Sequence, residues 1–271
     1  MCQVLNRIRI MKKIRLFQVD AFTDRLFAGN PAAVCPLDQW LPAALMQNIA
    51  AENNLAETAF IVPARDGYEI RWFTPAVEVD LCGHATLASA YVLFECLGYS
   101  GREITFHSVR SGVLKVSRRD DLLLMDFPSD TLERVSLEDE IQAAIGLRPV
   151  ETWKGRSDLI ALLKDENAVK QLSPDFNRVN QLDCRGLIVT APGDSADFVS
   201  RFFGPRVGIS EDPVTGSAHT SLTPLWSARL GKKELTARQL SKRGGSLSCT
   251  DLGARCLIGG EAKLYLTGEI N

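Results

Sequence analysis

An internal repeat constrains this chain more than any other feature. Arg71-Trp72-Phe73-Thr74-Pro75-Ala76-Val77 recurs 130 residues later as Arg201-Phe202-Phe203-Gly204-Pro205-Arg206-Val207. Each copy runs on into a glycine that opens an apolar helical pattern. The first reads Leu81-Cys82-Gly83-His84-Ala85 and the second Val214-Thr215-Gly216-Ser217-Ala218. The offset grows to 133, which puts three inserted residues of the second copy near Ile209–Asp212. Agreement in residue type, order and offset, with an offset close to half of 271 residues, makes chance similarity of two strand–turn–helix units a poor account. The repeat predicts two related domains facing each other across a pseudo-twofold axis.

The local patterns fill in these halves. Alternating or β-rich runs predict strands at Arg15–Val19, Thr58–Val62, Tyr68–Phe73, Glu103–Phe106, Gly112–Val116 and Leu122–Phe127. The second half offers Gly186–Ala191, Phe198–Phe203, Leu235–Leu240, Cys256–Ile258 and Ala262–Thr267. Helices are expected at Pro42–Asn53, Ala85–Leu97, Ser136–Ile145 and Ala218–Leu230, with Ser136 and Asp139 forming a capping box. Gly244-Gly245 reads as a hairpin turn. This succession predicts an α+β chain with many antiparallel pairs. The boundary falls at Pro128-Ser-Asp, giving an N-terminal domain over 11–127 and a C-terminal one over 128–257. A final strand, at about 258–271, packs back onto the first domain. Met11 is expected to be the start, with residues 1–10 a loose extension.

Composition removes several classes of function. Lys and Arg total 31 against 33 Asp and Glu, a formal charge of −2. That balance gives no global attraction to nucleic acid or an anionic membrane. The seven cysteines form no CxxC pair and there are only three histidines, so neither a zinc framework nor a disulfide scaffold is indicated. A reducing cytoplasm is the simplest setting. The most apolar helical stretch, Ala85–Leu97, is too short to span a bilayer and carries Glu95, and the N-terminus lacks a signal-peptide pattern. No GxGxxG, Walker loop, GxSxG elbow or HExxH is present. Lys232-Lys233 and Lys242-Arg243 read as solvated charge pairs.

Chemistry is expected where the repeated glycines open helices. A helix N-terminus offers free N–H groups and partial positive charge, and two of them converging on a cleft suit a small anionic metabolite. Gly83 and Gly216 would admit close approach, with His84 and Ser217 beside them; the plain alternative is two tight turns with Ser217 as a cap. Glu57 follows a helix and enters a strand of small and apolar residues. Partial burial there would push its carboxyl upward, as proton transfer needs, unless it faces solvent at a strand edge. Asp212 could orient His84 or accept a substrate proton, or merely begin an Asp-Pro turn. Cys82, in the repeat position of Thr215, is either a thiolate at a helix end or an inert small hydrophobe.

Five landmarks carry a resemblance: Phe17-Gln-Val-Asp-Ala-Phe-Thr-Asp, Gly29-Asn-Pro-Ala-Ala-Val, Asn54-Leu-Ala-Glu-Thr-Ala-Phe, Leu81-Cys-Gly-His-Ala-Thr and Glu211-Asp-Pro-Val-Thr-Gly-Ser-Ala. In this order, from Phe17 to the C-terminus, the chain resembles the phenazine-biosynthesis F family of isomerases, within the diaminopimelate epimerase-like superfamily. The resemblance implies an α/β roll of two pseudo-symmetric domains, each a curved, mostly antiparallel sheet around a central helix. It implies cofactor-free, metal-free proton relocation with Glu57 as general acid/base and His84 and Asp212 in support. Gly83, Gly216 and Ser217 would bind the substrate carboxylate. It also implies pairing as a homodimer. Related racemases use two cysteines, whereas here Cys82 is matched by Thr215, which argues against a two-thiol mechanism. Two other readings stay open: a non-catalytic binding protein with the same cleft, and a thiol-assisted racemase using Cys82.

Overall fold

The computed structural model describes residues 13–271, so the expected start at Met11 and the extension before it lie outside the described residues. Eighteen strands among these residues join one continuous sheet. In the first half β1 (Ile14–Ala21) pairs antiparallel with β2 (Asn30–Pro36), which runs parallel to β3 (Glu57–Pro63). β3 pairs antiparallel with β4 (Tyr68–Phe73), which takes the short β5 (Glu78–Val79) antiparallel and β6 (Glu103–Ser108) parallel. β7 (Gly112–Arg119) and β8 (Leu122–Pro128) complete an antiparallel meander.

The second half repeats this succession of pairings. β9 (Glu133–Val135) precedes β10 (Glu151–Lys154), which pairs antiparallel with β11 (Asp158–Leu162), itself parallel to β12 (Gly186–Pro192). β13 (Phe198–Gly204) then takes β14 (Ile209–Asp212) antiparallel and β15 (Glu234–Gln239) parallel. β16 (Gly245–Asp251) and β17 (Arg255–Gly260) close the meander. The halves join where β8 pairs with β17, and β18 (Ala262–Ile270) lies antiparallel along β1. The repeated arginines have matching partners: Arg71 forks onto Glu78 at 2.7 and 2.8 Å, and Arg201 onto Glu211 at 2.7 and 3.0 Å. The three inserted residues fall between Val207 and Glu211, where β14 is longer than β5.

Two layers of packing follow from strand alternation. One face of the sheet curls around α2 (Gly83–Tyr91) and α6 (Gly216–Leu230), forming a core that contains Phe17, Phe22, Trp72 and Trp226. Trp226 stacks on Phe198 with centroids 5.5 Å apart, and each such fully buried ring contributes about 1.5–3 kcal/mol of apolar burial. α2 has no polar stripe: every side chain from His84 to Ala90 is buried, which identifies it as a central helix rather than a surface one. The other face is covered by α1 (Ala43–Asn53) in the first half. In the second half α3 (Glu138–Ile145), α4 (Glu166–Lys170) and α5 (Phe176–Gln181) cover it. Among the described residues no helix is long and apolar enough to cross a membrane.

Several local expectations need correction. Leu137, not Ser136, precedes α3, and no side chain caps that helix. β9 holds the chain just before it, and three acidic residues in the first turn supply the favourable charge instead. The apolar patterns begin two residues too late to mark the starts of α2 and α6, which open at the glycines themselves. Val92–Cys96 continues α2 as a wider, π-type turn. Arg243 is no free surface charge. It binds the buried Asp20 carboxylate at 2.8 Å and the carbonyls of Ala28 and Gly29 at 2.9 and 2.8 Å.

Candidate active site

The first turns of α2 and α6 open onto one cavity of about 290 Å³ lined by Glu57, Gly83, His84, Asp212, Gly216 and Ser217. All six residues singled out from the sequence therefore face one space. The residues before the helices, Cys82 and Thr215, are extended and give no side-chain cap, so the leading N–H groups remain available to a ligand. A methyl group added at Gly83 or Gly216 would meet its neighbours only at ordinary contact distances. Their smallness thus serves the cavity rather than the packing. A larger hollow of about 520 Å³ beside Asp197 and Thr236 lacks such helix ends, and its Lys232 is engaged by Asp197 at 2.6 Å.

Glu57 enters the site as the first residue of β3, set in parallel register opposite Ala32. Its Oε2 lies 3.1 Å from His84 Nε2, and both side chains are nearly buried. The alignment falls short of a hydrogen bond, which leaves that carboxylate oxygen without a protein hydrogen-bond partner. Cys82 Sγ lies 3.5 Å from His84 Nδ1. Asp212 does not reach His84 directly. The Asn30 amide nitrogen stands between them, 3.2 Å from His84 Nδ1 and 2.8 Å from Asp212 Oδ1, and it also donates to the Val214 carbonyl at 2.9 Å. Thr215 Oγ1 donates to Asp212 Oδ2 at 2.5 Å, and Gln239 ties Thr215 N and the Asp212 carbonyl at 2.8 and 2.7 Å.

Asn30 and Gln239 were not singled out in the sequence. The signal for Asn30 was present in the Gly29-Asn-Pro landmark: Gly29 has φ +65°, and a Cβ there would collide with the Ala21 carbonyl. That turn delivers Asn30 into the site.

The two acids are driven apart. Burial opposes ionisation of Glu57, but the charge of the adjacent His84, with help from Cys82, outweighs it and lowers its pKa. This reverses the upward shift expected from burial alone. Burial likewise opposes the His84 cation, yet Cys82 and Glu57 together raise it well above its ordinary value. For Asp212 burial dominates and raises the carboxyl, against the hydrogen bonds from Thr215 and Asn30. Opposite displacement of neighbouring acids is the usual basis of an acid/base division of labour. Burial pushes the Cys82 thiol up to about 11, so it stays protonated near neutrality and is a poor base. Glu57, Cys82 and His84 also bring ligand atoms within 4.8 Å of one another, close enough to hold a metal ion.

The second-half wall carries two cations that sequence reasoning missed. Arg185 forks onto Asp158 at 2.9 and 2.5 Å, stacks over Phe202 at 5.3 Å and donates to Ser217 Oγ at 3.1 Å. Arg156, exposed, lines the same cavity. Strand register aligns this wall with the first half. Thr58 faces Phe73 as Leu187 faces the repeated Phe203, so Glu57 and Gly186 are twins. Ala32 faces Glu57 as Asp158 faces Gly186, which makes Asn30 the twin of Arg156 and Ala56 the twin of Arg185. The two halves thus place different chemistry on matched positions.

Comparison with known proteins bears on the family and the fold. The sequence profile described as phenazine biosynthesis-like protein matches residues 19–268. An uncharacterized isomerase of Pseudomonas aeruginosa is 52% identical over 260 residues, covering 96% of this chain and 99% of the relative. The crystal structure of a phenazine biosynthesis protein of Enterococcus faecalis superposes with a TM-score of 0.94 at 49% identity, covering 96% of this chain and 100% of that one. A hydroxyproline epimerase from Agrobacterium vitis shares the fold at a TM-score of 0.58 and 10% identity, with 95% of this chain and 91% of that one covered.

Proposed function

The chain belongs to the phenazine biosynthesis-like (PhzC-PhzF) family and is an isomerase, and from that premise we propose that Glu57 relocates a proton on a small carboxylate-bearing metabolite. The observation that carries the reading is a single cavity shared by the Glu57 carboxylate and two uncapped helix N-termini. The substrate carboxylate rests against the amides of Gly83, His84, Gly216 and Ser217, where partial positive charge from both helices meets it. Glu57, ionised near neutral pH, removes a proton from an adjacent carbon and returns it at another position. The same amides hold the charge that develops on the substrate. His84 keeps Glu57 ionised and oriented. Asp212, whose carboxyl is the more readily protonated, supplies or holds a proton on the opposite side. No cofactor enters these steps.

A thiol-assisted racemase is disfavoured by the protonated Cys82 and by Thr215 in the matched position. Working in the cytoplasm and pairing as a homodimer belong to the same reading. The test is solvent exchange: carboxylate metabolites that raise the melting temperature are incubated with enzyme in D₂O and followed by NMR. Wild type is expected to incorporate deuterium, and Glu57→Gln to bind the same compound without incorporation. Exchange retained in Glu57→Gln would remove Glu57 from the mechanism. Binding without exchange in wild type for every compound would favour a non-catalytic cleft.

A further inference from the structure

The cleft is lined by two arginines besides the helix ends. We propose that its substrate carries two carboxylates, the second one bound by Arg185 and Arg156. This deepens the assignment of the cleft as an isomerase site and rests on it.

The two arginines stand at neighbouring strand starts, for Arg185 N–H donates to the Ser157 carbonyl at 2.7 Å and Asp158 pairs with Gly186. Asp158 grips the Nε/Nη2 edge of Arg185, which fixes the guanidinium plane. Its second Nη2 hydrogen goes to Ser217 Oγ at the opening of α6, which leaves the Nη1 hydrogens without a hydrogen-bond partner among the described residues. A planar fork held in this way is preorganised for a carboxylate. The Arg156 guanidinium has no ion-pair partner among the described residues. Its backbone N–H, by contrast, is fastened to Asp130 at 3.1 and 3.2 Å.

The pairing of groups points the same way. Glu57 is set against His84, and Arg185 against Asp158, with Asp212 and Asp130 acting on Arg185 from farther away, while the two helix ends together supply about one positive charge. One substrate carboxylate satisfies the helix ends and leaves Arg156, with Nη1 of Arg185, for a second. A purely structural role for these cations is answered by the repeat. Their first-half twins, Asn30 and Ala56, stand at the matched strand starts without any charge of their own, so the fold itself does not require arginine there.

The probes are isophthalate, benzoate and benzamide, titrated calorimetrically into the full chain. Wild type is expected to bind isophthalate at least about tenfold more tightly than benzoate, a difference of about 1.4 kcal/mol, and benzamide more weakly than either. Arg156→Gln and Arg185→Gln are each expected to lose the preference for isophthalate while keeping benzoate affinity within about twofold. Equal affinity for the two acids in wild type overturns the proposal. So does the absence of saturable isophthalate binding up to tens of millimolar, or an equal loss of both acids in the arginine variants. Arg156 is exposed, so its variant keeps the test decisive if Arg185→Gln fails to fold. Binding is read without turnover. A Glu57→Gln variant that still prefers isophthalate but retains solvent exchange would overturn the Glu57 assignment and leave this one standing.

Discussion

His219 should make this protein acid-sensitive by a calculable amount. It is fully buried in α6, its Nδ1 is 2.8 Å from the Thr215 carbonyl, and its ring lies 5.8 Å from Phe198. A carbonyl can only accept, so Nδ1 carries the proton of a neutral imidazole. Burial lowers the pKa of His219 to about 4, against the smaller opposing effect of the Thr215 hydrogen bond. In the unfolded chain it titrates near its ordinary value of about 6.5. The folded pKa is thus the lower one, so below about pH 6.5 the unfolded state binds more protons and stability falls with pH. The full difference corresponds to about 3 kcal/mol, of which about 2 kcal/mol is lost between pH 8 and pH 5. The assay is urea denaturation of wild type and His219→Gln across pH 8 to 5. The variant is less stable at pH 8, through lost packing, but its stability should decline less steeply by about 2 kcal/mol. Parallel pH profiles for the two proteins would refute the reasoning, because they would show that His219 takes up its proton without penalty in the folded state.

Other outcomes follow from the site and its supports. Cys82→Ser should retain exchange activity within about tenfold, since a thiol protonated up to about 11 contributes polarity and packing rather than basicity. Loss of all exchange in that variant would restore the thiol mechanism. Asn30→Asp, nearly isosteric, places a carboxylate against Asp212 and the Val214 carbonyl and should cost about 2–4 kcal/mol in chemical denaturation. Gly29→Ala adds a Cβ that collides with the Ala21 carbonyl at φ +65° and should destabilise by at least about 1–3 kcal/mol, with thermal melts as the check. Activity in Gly29→Ala should fall further than stability alone explains, because the same turn positions Asn30.

The α+β architecture was legible because the repeat is written in residues that do visible work. The arginines repeated at 71 and 201 each fork onto a glutamate, and the repeated glycines each open a central helix. Strands such as β2 and β11 were harder to read. Asn30–Pro36 and Asp158–Leu162 lie inside parallel pairings and are covered on both sides, so apolar residues do not alternate along them. Glu57, His84 and Asp212 could be named from motif and placement, but their coupling could not. The pKa of Glu57 depends on how close His84 comes, a distance fixed by the register of β3 against the opening of α2. Arg156 and Arg185 carry no local mark at all; they become cleft residues only once β11 and β12 lie side by side.

The pairing of β1 with β18 bears on how the molecule comes into being. Ile14 lies opposite Ile270, and the strand that covers the outer edge of β1 is β18, which is synthesised after all the other strands of the sheet. The first half therefore cannot finish its own sheet during synthesis, although everything else it needs has already emerged. Contacts of such long sequence separation are slow to form. Until they do, β1 presents a bare margin open to pairing with other chains. The second half, from β9 to β17, contains its outer strand from the beginning, so order of assembly runs against order of synthesis. A nascent chain of this kind is most exposed to misassembly in the interval before β18 emerges.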